Sequence, residues 1–246
     1  MSFPKLSEAL CLMGEPVAVL WTDEKPAGAL GFKKAGGHGC MIPLVRQVAF
    51  EGRVAALGRD CYGCAGGGYY LGFTRERDPH RFRYFLSTGL PGEIEGEGYK
   101  KSPELVDEMM KINADQYLPA PKDYCVFKPV SLLAPGDEPE VAIFLVNPDQ
   151  LSALVVLANY DLPGNDGVAA LFGSGCSSLV LYPRLERLGK KRGIIGLTDV
   201  TVRGFLPPEI LSFAVPFERA LEMEASVPGS FLERKVWQGI RSRLQT

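Results

Sequence analysis

Hydrophobic positions recur along the chain with two different periods, and the changes of period mark its elements. Phe3, Leu6, Leu10 and Met13 fall on one helical face with Gly14 as a stop just beyond, so the spacing predicts a helix over 3–13. Val17-Ala-Val-Leu-Trp21 is too short for an independent helix, is rich in β-formers and runs into turn residues, which predicts a strand. After the loop Gly36-Gly-His-Gly-Cys40, the positions Ile42, Val45, Val48 and Ala49 restore the helical period, with Pro43 suited to a first turn, so a helix is expected to start near Cys40. A second glycine-rich loop, 58–68, leads into Tyr69-Tyr-Leu-Gly-Phe73, whose pattern selects neither helix nor strand.

Residues 91–98 hold four glycines or prolines and three glutamates, the composition of an exposed connection. Ser102-Pro103 then opens a helix expected to bury Leu105, Val106, Met109, Met110 and Ile112. Strands are expected at 124–130 and at Val141-Ala-Ile-Phe-Leu-Val146, whose unbroken apolar run fits a central strand covered on both faces. Asn147-Pro148-Asp149-Gln150 combines an N-cap, a first-turn proline and a capping-box partner, which starts a helix running to about Tyr160. Ser174-Gly-Cys176 precedes a helix through Leu185, although 178–182 also fits a strand. Further strands are expected at 194–197, 202–205 and 211–215, and helices at 216–224 and 230–244, the last with the capping box Ser230-x-x-Glu233.

Strands and helices interleave without the strict alternation of a doubly wound sheet. The expected fold is α+β, a mixed α/β single domain with a largely antiparallel or mixed sheet flanked by helices. No internal repeat or long linker interrupts the pattern, so one domain over 1–246 is expected, with a weak boundary near 92–101.

Composition narrows the function classes. With 27 Lys+Arg against 29 Asp+Glu the net charge is −2, which supplies no general attraction to nucleic acid or anionic lipid, so neither is an expected partner. No apolar run approaches the roughly 20 residues that span a bilayer, and the opening MSFPKLSEALCLMGEP places Glu8 inside its apolar stretch without a secretory layout. The expected location is the cytoplasm. Standard phosphate motifs fail: Gly66-Gly-Gly-Tyr-Tyr-Leu-Gly72 puts its last glycine one residue late and precedes an aromatic run, and no P-loop is present. The nucleophile elbow is absent too, and only His38 and His80 could serve a hydrolase.

A chain of this length does not need disulfides to hold a core, so stability does not explain six cysteines. Cys11, beside Leu10, and Cys125, in a strand, read as small buried hydrophobes. Cys40, Cys61, Cys64 and Cys176 each lie in or beside glycine-rich irregular chain, where backbone can approach an inorganic group and amides can converge on sulfur. Cys61-Tyr-Gly-Cys64 has the C-x-x-C spacing that places two thiolates on one metal or cluster, and Cys40 and Cys176, at expected helix starts, should have thiolates favoured by the helix dipole. These four form the candidate metal set. An iron–sulfur cluster of the 4Fe–4S type is the leading cofactor, because isolated Cys40 and Cys176 suit a cluster recruited from distant loops. Structural zinc, which usually takes two short-spaced pairs, is the alternative.

Cys40, the run Cys64-Ala-Gly-Gly-Gly-Tyr-Tyr-Leu-Gly-Phe73, Gly175-Cys176, Gly196-Leu-Thr-Asp-Val-Thr-Val-Arg203 and Leu211-Ser-Phe-Ala-Val-Pro216 together resemble successive blocks of the uncharacterised family called domain of unknown function 169, from about Val17 to Leu232. The resemblance implies a shared mixed α/β fold and a shared cysteine site at Cys40, Cys64 and Cys176, without naming a reaction. Cys61 matches the pattern less clearly, so a three-cysteine cluster with one open iron stands beside the four-cysteine set. Arg203 matches a block as well and is a candidate to hold a carboxylate substrate or to pair with Asp199, with 200–202 read as extended chain. The expected function is therefore a cluster-binding protein with a redox or small-ligand role, its partner an unnamed small molecule or electron-transfer protein. The rivals are a structural zinc module and a thiol enzyme using Cys64 or Cys176 with His38 or Arg203 nearby.

Overall fold

Backbone groups in a buried strand must be paired, and a strand apolar on both faces needs cover on both sides. A computed structural model, which describes residues 1–33, 39–75, 78–113 and 116–244, meets both demands with one sheet between two layers of helices. The first half of the chain supplies α1 (Pro4–Leu10), β1 (Val17–Thr22), α2 (Ile42–Glu51), β2 (Ala55–Gly58), α3 (Ala65–Tyr70), α4 (Pro79–Phe85) and α5 (Pro103–Ile112). The second half supplies β3 (Tyr124–Pro129), β4 (Val141–Val146), α6 (Pro148–Leu157), β5 (Val168–Ala169), α7 (Tyr182–Arg187), β6 (Gly193–Gly196), α8 (Val200–Arg203), β7 (Leu211–Pro216), α9 (Phe217–Ala225) and α10 (Lys235–Leu244). A π-helical turn, Ser177–Leu181, leads directly into α7.

Among the described residues the strands lie in the order β2-β3-β1-β4-β7-β6-β5. Every pairing is antiparallel except β5 with β6, so the sheet is mixed and the expected fold class holds. The apolar run 141–146 is the middle strand, buried at all six positions. Its alternation builds two cores. Val141, Ile143 and Leu145 join Val17, Val19 and Trp21 beneath α2 and the π-helical turn, while Ala142, Phe144 and Val146 join Ala18 and Leu20 beneath α1, α6, α9 and α10. Each fully buried Val, Leu, Ile or Phe contributes about 1.5–3 kcal/mol, so β4 is the strand that both layers depend on.

The helix after β4 starts as its sequence dictates: Asn147 Oδ1 accepts the Gln150 amide and Gln150 Oε1 accepts the Asn147 amide, both at 3.0 Å. Gln150 also explains why α1 stops early. Its Nε2 donates to the carbonyls of Leu10 and Cys11 at 3.1 and 2.9 Å, and Cys11 turns left-handed (φ 49°) as the C-cap. Cys11 is therefore a half-buried helix end and not the core thiol expected from the spacing. At the other end of α1, Phe3 has no capping side chain, and the Glu224 carboxylate of α9 accepts the Lys5 and Leu6 amides instead.

Other departures follow from packing. Of the five residues expected on the buried side of α5 only Val106 is buried, because this helix rests against α4 and not on the sheet. The strand expected at 202–205 is instead the end of α8 and a turn, and 178–182 is helical. The expected closing helix is split: Ser230 Oγ accepts the Leu232 amide of a 3-10 turn at Phe231–Glu233, and α10 begins at Lys235. No helix of the described residues is long and apolar enough to cross a membrane.

Two measurements test this core. Amides of Val141–Val146 should exchange slowly, at the level of global unfolding, and Asn147→Ala should cost about 1 kcal/mol in a urea titration. Fast exchange throughout the strand would show that the core lies elsewhere.

Candidate functional site

Three cysteines from distant parts of the chain meet on the face of the sheet covered by α2 and the π-helical turn. Cys40 stands just before α2, and the Ile42 amide at the helix start donates to its sulfur. Cys64 is the N-cap of α3, with its Sγ accepting the Gly67 amide at 3.4 Å. Cys176 is buried and leads into the π-helical turn.

Two backbone contacts bring these segments together. The Cys64 amide donates to the Gly39 carbonyl at 3.1 Å, which sets the chain at 63–64 against that at 39–40. Gly63 has a φ of +87°, and a Cβ there would run into the Phe32 ring and the Gly39 carbonyl, so this approach requires glycine. On the other side Gly175 packs beneath α2 and α8. A Cβ on it would lie 2.9 Å from Ile42 Cδ1 and 3.4 Å from Val202 Cγ1. Cys176 is thereby held beside the segment of Cys40 and the segment of Asp199.

The electrostatics report the same convergence. Burial pushes the Cys40 thiol up, the Ile42 amide pulls it down, and the negative charges of Cys64 and Asp199 push it up further. Cys176 is raised well above the ordinary thiol value, chiefly by burial and then by Cys64, Cys40 and Asp199. The expectation that helix starts would favour thiolates at Cys40 and Cys176 is overturned: desolvation outweighs the amide at Cys40 and dominates at Cys176.

Asp199 is the residue that sequence spacing underrated. It is only 6% exposed. Its Oδ1 accepts the Thr201 amide at 3.1 Å, the Thr201 hydroxyl at 2.7 Å and the Tyr99 hydroxyl at 3.1 Å. Its position as an N-cap was a readable signal, whereas nothing in the sequence connects Tyr99 to it. The backbone before Asp199 is strained: buried Leu197 has a φ of 60°, costing about 1–2 kcal/mol for a residue with a side chain. Ser178 Oγ accepts the Leu197 amide at 3.4 Å, and Arg203 Nη1 donates to its carbonyl at 3.2 Å.

Arg203 donates as well to the carbonyls of Ile210, Pro207 and Pro208. Its fork braces the loop around Asp199, on the short helix that replaces the extended chain expected at 200–202. Cys61 Sγ donates to the Phe32 carbonyl at 2.8 Å. Cys125 is fully buried in β3, and burial raises its thiol far above the ordinary value. His38 lies outside the described residues, and His80 packs against Tyr84 in α4. Among the described residues no group of three or more His, Cys, Asp or Glu side chains forms a ready-made ligand set for a metal ion.

The fold is that of an α/β protein whose mixed sheet carries, on one face, a candidate site in which half-buried Cys40 and Cys64 lie near buried Cys176 and Asp199. Over residues 5–226 the chain matches domain of unknown function 169, described as "Uncharacterised ArCR, COG2043", and it belongs to that family. No curated protein and no solved structure shows significant similarity to it.

The raised thiols carry a pH signature. In the unfolded chain Cys125 and Cys176 ionise near the ordinary value of 9.0, whereas in the folded protein they stay protonated. Stability is therefore full below that value and is lost as pH rises through and above it. Under reducing conditions with chelator, urea midpoints should fall between pH 7 and pH 10, and Cys125→Ala or Cys176→Ala should each lessen the fall. An unchanged fall in both variants would contradict this assignment.

Proposed function

We propose that this protein is a cytoplasmic iron–sulfur protein that holds a 4Fe–4S cluster on Cys40, Cys64 and Cys176, with a redox or small-ligand role. The observation that carries the reading is the meeting of three thiols, each beside a helical start, next to a buried carboxylate. The donor chemistry fits iron: soft sulfur ligands suit iron–sulfur clusters, and amides directed at sulfur, here from Ile42 and Gly67, are among the levers that tune them. When bound, such a cluster passes single electrons or, at an iron without a thiolate, binds a ligand. The chain's own part is to place the sulfurs, pack the segment of Cys176 against Ile42 and Val202, and hold the loop around Asp199 through Arg203 and Ser178.

In the thiol-enzyme reading Cys176 is the weaker nucleophile, because it is buried and protonated, which leaves half-buried Cys64 to carry it. Arg203, its other expected partner, is already engaged with backbone carbonyls.

Anaerobic purification followed by iron, sulfide and zinc analysis tests the proposal. Brown protein with about four irons per chain is expected. Colourless protein with stoichiometric zinc would replace the cluster by a structural site, and colourless protein free of both metals would return the thiol reading. Cys40→Ser, Cys64→Ser and Cys176→Ser should each remove or degrade the cluster. Cys125→Ser should cost roughly 1–3 kcal/mol and leave iron per folded molecule unchanged.

A further inference from the structure

Three cysteines leave one corner of a four-iron cluster without a protein ligand, and the sequence spacing alone offers Cys61 for it. The structure brings a second candidate, the carboxylate of Asp199, whose charge acts on both Cys40 and Cys176. Gly175, the neighbour of Cys176, is packed against both Ile42, two residues after Cys40, and Val202, three residues after Asp199. Asp199 is nine-tenths buried and has an asymmetric carboxylate. Thr201 and Tyr99 supply three hydrogen bonds, and all of them reach Oδ1. Among the described residues Oδ2 accepts none.

A carboxylate oxygen that accepts no hydrogen bond from the protein keeps its lone pairs free for water or for a metal ion. No cation is paired with Asp199 among the described residues, and the charged forms of the nearest thiols, Cys40 and Cys176, would repel it. Strained Leu197, the Ser178 and Arg203 bonds that hold it, and the Thr201 and Tyr99 bonds to Oδ1 fix the carboxylate in place. A carboxylate oxygen is a competent, harder ligand for iron than thiolate.

Resting on the cluster reading above, we propose that Asp199 is the fourth protein ligand, binding through Oδ2 the iron that Cys40, Cys64 and Cys176 leave open. Tyr99 and Thr201 are positioning residues that hold Oδ1 so that Oδ2 stays available. The bond is a ligand exchange at iron in which the carboxylate displaces water or thiol, so no oxidation accompanies it. An iron held by oxygen is also the one most readily lost or exchanged, which makes this corner the place where a small anionic ligand would enter.

The experiment uses the full chain, reconstituted anaerobically with ferrous iron and sulfide, and reads iron content, Mössbauer spectra and EPR after mild oxidation. Asp199→Asn keeps the amide oxygen in place of Oδ1, so the cap survives, and it replaces Oδ2 by a group that cannot ligate. It should lose one iron, from about four to about three per chain, and show the signal of a three-iron cluster. Asp199→Cys should restore about four irons and resist the loss of one iron on oxidation better than the wild type. Cys61→Ser should match the wild type in all three readouts. Loss of one iron in Cys61→Ser with retention in Asp199→Asn would overturn the proposal, as would a wild-type Mössbauer spectrum in Asp199→Asn. If the wild type itself takes up no iron, the cluster reading and this assignment fall together. If the wild type holds four irons and Asp199→Asn does too, this assignment alone falls.

Discussion

The packing of Gly175 between Ile42 and Val202 is the contact on which the site depends. It presses the residue before Cys176 against the first turn of α2 and against α8, so side-chain packing sets the segments of Cys40, Cys176 and Asp199 against one another. The sheet makes that contact possible. Gly196 at the end of β6 lies so close to Ser178 and Ser212 that a Cβ there would strike both hydroxyls, which brings the chain entering the Asp199 loop down onto the π-helical turn that follows Cys176. A glycine at each of these two points exchanges a side chain for proximity, and proximity is what a site assembled from distant loops requires.

Burial then decides the chemistry of the thiols. A helix N-terminus favours negative charge by about 0.3–1 kcal/mol in exposed settings, whereas removing a thiolate from water costs several pKa units at a fully buried position. At Cys176 the second effect dominates, and neighbouring negative groups add to it. In the free protein Cys176 is therefore neutral and poorly nucleophilic. A metal reverses the balance, since its positive charge compensates sulfur and carboxylate at once. A site that is unfavourable for three thiolates and a carboxylate by themselves is favourable for the same four groups around a cation, which is why the buried Asp199 and the raised thiols belong to one physical description.

The sequence made the central architecture legible where local and tertiary demands agreed. The unbroken run 141–146 fits a strand covered on both faces, which it is, and the Asn147 box marks the start of the helix after it. It misled where a tertiary partner overrode the local pattern. Gln150 ends α1 at Leu10 and leaves Cys11 half-buried at the helix end, and α4, which no periodicity marked, draws α5 away from the sheet. β2, four residues of Ala-Ala-Leu-Gly, carries no alternation to read. For the site, glycine beside cysteine was the informative signal, because close backbone approach is what those glycines provide. Tyr99 was invisible, since its bond to Asp199 joins residues a hundred positions apart.

Arg203 shows how one side chain's chemistry suits two different settings. A guanidinium near a candidate site suggests a carboxylate substrate, since its planar fork matches one. The same fork also matches a curled backbone whose carbonyls point inward, and here Leu197, Pro207, Pro208 and Ile210 supply four of them. Those carbonyls belong to a loop that must hold Leu197 left-handed, and a charged donor shared among them offsets the strain better than neutral amides would. The arginine thus acts on the site through backbone geometry: it holds the turn that presents Asp199, and the charge that faces the thiols is the carboxylate's and not its own.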